Sequence, residues 1–166
     1  MAIVQVPTPQ TGGMTLLTTM SLSGSSVTSS NFSSSYKALK IYVKHVIAST
    51  AAQFLLRLNG DTGSNYSYRL LTNASSDSNS GTASSIRFGN TTSQTDVNLT
   101  TYAIIDLMTP SNTDSVFLKS VCSEGTGPTL WQVAGVYDNA AAITNITLFL
   151  SSGTFTSGEV FIYGVD

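Results

Sequence analysis

LKIYVKHVI, residues 39–47, decides the fold class. Leu39, Ile41 and Val43 alternate with Lys40, Tyr42 and Lys44. That period of two places apolar side chains on one face of an extended strand and polar ones on the other. An amphipathic helix needs apolar residues at i, i+3, i+4 and i+7, a pattern that no window of the chain carries. On the same parity, His45 and Ile47 are expected to continue the inward face.

The habit spreads in both directions. Downstream, Phe54, Leu56 and Leu58 alternate with Gln53, Arg57 and Asn59, and Tyr66, Tyr68 and Leu70 follow. A weaker strand surrounds Ile86 and Phe88, and residues 102–108 form a strongly apolar run in which Asp106 is the single charge. Val116, Leu118 and Ser120 then alternate with Phe117, Lys119 and Val121. Residues 130–137 hold Trp131, residues 143–150 alternate around Ile146, Leu148 and Leu150, and residues 160–165 close the chain. With the Leu16, Leu17 and Leu22 region upstream, this makes about ten strands at the spacing of an antiparallel sandwich or barrel.

Between the strands, NGDTG at residues 59–63 has the turn chemistry of a hairpin connection with positive φ. Residues 73–85 and 90–98 are almost purely polar and read as long exposed loops, with 75–80 and 91–95 facing outward. No repeat and no internal boundary is visible, so residues 14–166 are expected to form one domain. Residues 1–13 read as an extended N-terminal arm. Ile3, Val4 and Val6 are apolar, Pro7 and Pro9 remove two backbone donors, and Gly12 and Gly13 release the chain.

Composition narrows the function classes. Only 10% of the 166 residues are charged, against about 25% in ordinary soluble proteins. The polar surface comes instead from 26 Ser, 23 Thr and 10 Asn. Helical bundles need Glu, Lys, Arg, Leu and Ala on their surfaces and fall away. Charge-driven disorder needs a net charge far larger than −2. Seven cations, clustered only at Lys37, Lys40 and Lys44, are too few to neutralise a run of phosphates, so neither nucleic acid nor a membrane is an expected partner. A basic, apolar leader is not visible at the start, and no run approaches the ~18 apolar residues of a membrane span. Synthesis in a cytoplasm is the expectation.

The catalytic inventory is thin. A nucleophile needs a base, most often His, and the single histidine, His45, sits on the parity of packed residues. Cys122, the single cysteine, ends an apolar strand and reads as an inert buried thiol. Among the carboxylates only Asp106 and Glu159 lie inside apolar strands, and nothing in the sequence sets them face to face as a glycosidase pair. Asn59, Asp61 and Asn65 resemble a calcium loop but lack its closing bidentate Glu, Leu70 standing in that position, so a structural turn is expected. The chain is not expected to be an enzyme, and no cofactor or metal is implied.

Four segments, read together, carry a resemblance. LLTTMSLSGSSVT (16–28) leads to YKALKIYVKHV (36–46), then LRLNGDTGSNYSYRLL (56–71) and ITNITLFLSSGTFTSGEVFIYGVD (143–166). Their order resembles a β-sandwich domain of tailed-bacteriophage virion proteins, seen in tail-fibre-like proteins and in the small jelly-roll decoration or cement proteins of phage heads. The most specific pieces are the turn at 59–68 and the closing GEVFIYGV at 158–165. The resemblance implies a jelly roll located in the virion and assembled as a homotrimer, with the major capsid protein as partner. The expected function is that of a cement protein binding at capsomer junctions and stabilising the head. Capsid contacts are then expected in the arm, at Ile3, Val4, Val6 and Pro7. The alternative is a tail or head appendage binding a host-surface glycan through exposed aromatics. Tyr66, Tyr68 and Trp131, with Tyr102 beside them, are its candidates.

Overall fold

The computed structural model describes residues 13–73, 76–91, 101–108, 115–124 and 129–166. They form twelve strands: β1 (Met14–Ser21), β2 (Ser26–Thr28), β3 (Ala38–Ala48), β4 (Ala52–Leu58), β5 (Tyr66–Thr72), β6 (Ser76–Ala83), β7 (Ile86–Thr91), β8 (Thr101–Met108), β9 (Val116–Glu124), β10 (Thr129–Tyr137), β11 (Ile146–Leu150) and β12 (Phe155–Val165). One sheet has eight strands in the order β1-β12-β3-β8-β9-β10-β5-β6, and the other has four in the order β2-β11-β4-β7. Every pairing is antiparallel.

Setting aside β5–β6 and β9–β10 leaves β1-β12-β3-β8 facing β2-β11-β4-β7. That is the strand order of a jelly roll, in which the chain crosses between two four-stranded sheets. The two extra hairpins both join the same sheet and extend it beyond β8, so the sandwich is lopsided.

Periodicity places the core. In β4 the buried residues are Ala52, Phe54, Leu56 and Leu58, and in β11 they are Ile146, Leu148 and Leu150. Phe54 packs against Phe88 with ring centroids 4.3 Å apart and against Phe155 at 5.5 Å, tying both sheets together. The extension is covered by β7, which touches β9, β10 and β5. Two glycines permit that approach. A side-chain carbon on Gly89 of β7 would sit 2.5 Å from Cys122 Sγ, and one on Gly135 of β10 would sit 3.0 Å from Ile86 Cδ1.

Three local readings need correction. His45 does not continue the inward face, because it adopts a φ of 52° at a bulge where the β3–β8 register shifts between Val43 and Val46. Two residues there occupy the place of one. Lys44 and His45 are therefore both exposed, and the inward parity resumes at Val46 and Ala48 rather than at Ile47. Residues 73–85 are not all loop either, since Ser76–Ala83 pairs with β5 as the polar edge of the large sheet. An edge strand needs only backbone bonds on one side, so its composition carried no apolar alternation to read.

The third correction concerns residues 59–63. Asn59 and Gly60 have φ of 53° and 65°, and Asp61 N–H donates to Leu58 O, which makes a type I′ turn. Its flanking strands do not pair, because β4 lies in the small sheet and β5 in the large one. Side chains hold this crossing. The Asn59 amide donates to Ala142 O at 2.9 Å, while its Oδ1 accepts from Thr144 N–H at 2.8 Å. Asp61 accepts from Asn65 and Asn139 Nδ2 at 2.8 Å each, from Gly63 N–H at 2.7 Å and from Tyr137 OH at 3.1 Å. The Tyr66 hydroxyl donates to Leu58 O and accepts from Leu58 N–H.

These bonds move the titrations. The Asn65 and Asn139 amides and the Gly63 N–H lower Asp61 to about 2. Burial, followed by the hydrogen bond to Asp61, raises Tyr137 to about 12. A depressed carboxylate stabilises the fold above its unfolded pKa of 3.8 and loses that contribution as pH falls towards about 2. A raised phenol stabilises it below about 10 and loses that contribution as pH rises towards about 12. Melting temperature is accordingly expected to fall on acidification from pH 4 to pH 2, with a smaller fall in Asp61→Asn; an unchanged acid limb in that variant would contradict this account. Gly89→Ala is expected to cost about 1–3 kcal/mol by overpacking against Cys122. Combined with Cys122→Ala, it should lose less than the sum of the single losses in denaturant titrations, and strict additivity would show that this contact does not limit the packing.

Candidate functional surface

Inward residues of both sheets are consumed by the core, so any surface for other molecules lies on the outer faces or at the edges. The outer face of the small sheet is screened. Phe149 lies under Arg57, whose guanidinium carbon is 4.3 Å from the ring centroid and whose Nε donates to Ser84 O. Thr28 and Thr147 pair their hydroxyls beside it.

The outer face of the large sheet is different. Nine large hydrophobic residues are exposed among the described residues, and all nine lie on this one face: Met14, Leu16, Leu71, Tyr102, Ile104, Met108, Phe117, Val121 and Leu130. Register arranges the face in rows across the strands. Met14, Val165, Ala38, Met108, Phe117 and Val136 make one row, and Phe161, Tyr42, Ile104, Val121, Gln132 and Leu71 make another. Between them runs Leu16, Tyr163, Lys40, Asp106, Lys119, Ala134 and Arg69. Lys40 Nζ stands 3.3 Å from Asp106 Oδ1. Lys119, on the other side of Asp106, makes no ion pair among the described residues.

Three shallow depressions of about 330, 380 and 290 Å3 open on this face, with Ile104, Gln132 and Met108 among their respective lining residues. Their walls are side chains of adjacent strands, with no converging polar set in a closed cavity, which suits a flat packed contact better than an enclosed small molecule. Apolar patches of more than a few hundred Å2 mark interaction sites on soluble proteins.

The residues singled out in the sequence are scattered. Ile3, Val4, Val6 and Pro7 lie outside the described residues, as do positions 92–95 of the second polar loop. Of the glycan candidates, Tyr66 is 1% exposed and Trp131 8%, so neither offers a ring face to solvent, and Tyr68 is half-buried on the inner side of β5. Tyr102 is exposed, but its hydroxyl lies 3.0 Å from His45 Nε2 and their rings contact at 5.0 Å. Asp106 and Glu159 share the outer face of the large sheet, Asp106 paired with Lys40 and Glu159 in register beside Lys44. Cys122 is fully buried against Gly89. Around Asp61 the oxygens already receive N–H and O–H donors, an arrangement that closes a turn and turns positive hydrogens, not vacant lone pairs, towards the centre. No three His, Cys, Asp or Glu side chains group as a metal set among the described residues.

Inward alternation alone does not reveal the apolar outer face as a unit. Its signal lay in residues 102–108, where Tyr102, Ile104 and Met108 are apolar on one parity and Ala103, Ile105 and Leu107 on the other. An antiparallel strand with one solvated face ordinarily alternates, so a run apolar on both parities departs from that pattern.

No protein-family model and no curated protein matches the chain. Among solved structures, the chain is similar to an exo-inulinase from Aspergillus awamori, with 12% identity and a TM-score of 0.33 over 95% of this chain. The match spans 30% of the inulinase, and a likeness at that level carries no functional argument.

Proposed function

We propose that the protein is a non-enzymatic structural component of a virion, a decoration or cement protein that binds an assembled phage head and stabilises it. The observation that supports an assembly role is the outer face of the large sheet, where every exposed large hydrophobic among the described residues is gathered. Displaying that much apolar surface favours association with other protein. The jelly-roll strand order, the low charge and the hydroxyl-rich remainder of the surface agree with a protein whose work is packing. The head is the assembly to which the sequence resemblance points, with the major capsid protein as partner and the apolar arm, Ile3 to Pro7, as the anchor.

Adhesion of this kind needs no single strong site. An interface of about 800 Å2 per partner gives specific attachment. Copies that also hold one another gain by multivalency, because release then requires several contacts to open together. The glycan-binding alternative is weaker, since two of its four aromatic candidates, Tyr66 and Trp131, are buried.

Co-sedimentation with undecorated phage capsids tests the reading. The full chain is expected to pellet with capsids, and the double variant Ile3→Asp, Val6→Asp is expected to stay largely in the supernatant. Pelleting that survives both substitutions would remove the arm from the contact. A wild-type chain that never pellets with heads would sink the cement assignment.

A further inference from the structure

We infer that the outer face of the large sheet is the surface on which two copies of this chain pair, face to face about a two-fold axis running parallel to the strands between β8 and β9. This goes beyond the capsid reading and does not depend on it.

Size is the first argument. Eight strands spaced about 4.8 Å apart span roughly 34 Å, and outward residues repeating about every 6.8 Å make four rows roughly 20 Å deep. The face is therefore on the order of 700 Å2, close to the roughly 800 Å2 per partner of a stable interface. A second copy presents a face of the same extent, and no described element of the fold covers either one.

Complementarity is the second. The sheet order divides evenly between β8 and β9, with β1-β12-β3-β8 on one side and β9-β10-β5-β6 on the other. Rotation about an axis between them lays β8 of one copy over β9 of the next and keeps each row opposite itself. Because Asp106 and Lys119 are cross-strand neighbours in one row, Asp106 of each copy then faces Lys119 of the other. Ile104 faces Val121 and Met108 faces Phe117 by the same operation. Every charge nearest the axis meets its opposite, and apolar residues meet apolar residues above and below. Sheets packed face to face cross at about 30°, which displaces residues near the centre of the face least. The interface is isologous, so one patch serves both copies. This is a pair, where the resemblance implied three copies.

Light scattering on the eluting full chain gives the mass. At about 100 μM the wild type is expected at twice 17.4 kDa. Val121→Asp, which places a carboxylate on an exposed position outside the core, is expected to reduce it to a single chain while far-UV circular dichroism keeps its β signature. Charge then reports the register. Lys119→Asp alone sets carboxylate against carboxylate across the axis and should weaken pairing about tenfold or more. Adding Asp106→Lys restores opposite signs and should recover most of that loss. A single-chain or three-chain mass for the wild type overturns the pairing. Dimers that persist in Val121→Asp overturn the choice of face, and a double variant no better than Lys119→Asp overturns the two-fold register. Capsid binding by a chain that stays single would leave the cement reading standing and this inference refuted.

Discussion

Every inward side chain of the large sheet must be covered, and the small sheet has half as many strands to do it with. The fold meets this constraint by bringing β7 across the extension, so that one edge strand of the small sheet touches β9, β10 and β5. Backbone has to come closer there than ordinary side chains allow. Gly89 against Cys122 and Gly135 against Ile86 remove the obstructing carbons on both sides of the contact. The turn at Asn59 and Gly60 serves the same closure from below, carrying the chain out of the small sheet and into the extension. Asp61 fixes the crossing by gathering donors from Asn65, Gly63, Tyr137 and Asn139, residues at the adjoining start of β5 and end of β10. Without that close approach β7 could not pack on β9, β10 and β5.

Much of this fold was legible in the sequence. Period-two alternation located β3, β4, β5, β8, β9, β10, β11 and β12, because each has a core side that tolerates only apolar residues. What escaped was structure that alternation does not encode. β2 is three residues long, and β6 is an edge strand made of Ser, Asp, Asn, Gly, Thr and Ala. Neither has enough apolar residues for a pattern. The bulge at His45 inverted a parity that looked secure, since an extra residue in one strand changes no local composition. Turn chemistry at Asn59-Gly60 specified the backbone but not the partner: a type I′ turn fixes two φ angles, and the sheet that the chain joins next is decided by packing far away.

The candidate surface was harder to see than the fold. A search of sequence for function looks for rare residues, and here the rare ones are structural or peripheral: Trp131 and Cys122 in the core, His45 on a bulge against Tyr102. The surface that stands out is made of common residues, Ile104, Val121, Phe117 and Met108, whose meaning depends on which parity faces out. Parity follows from the strand itself, but whether an outward apolar side chain is covered depends on the sheet around it. Residues 102–108, apolar on both sides, carried the information and required the sheet order to interpret it.

An apolar sheet face in contact with water is also a hazard, and its charges bear on how the hazard is contained. Lys40, Asp106, Lys119 and Arg69 cross the middle of the face between two apolar rows, and Lys44 and Glu159 stand at its margin. Such a row adds little affinity, since ion pairs brought out of water return about what they lose in hydration. Its effect is on choice. An apolar surface without charges accepts any flat apolar partner in any register, whereas a buried charge left facing a hydrocarbon or a like charge is penalised by several kcal/mol. Sliding a partner by one row, two residues along the strands, would set Lys119 against a neighbouring apolar row and forfeit its counter-ion. The same four residues thereby discourage indiscriminate aggregation and narrow the acceptable arrangements to those that keep Asp106 against a base and set no base against a like charge. Only 10% of the chain is charged, and four of its seven lysines and arginines, Lys40, Lys44, Arg69 and Lys119, stand on this one face, where they would make an association selective.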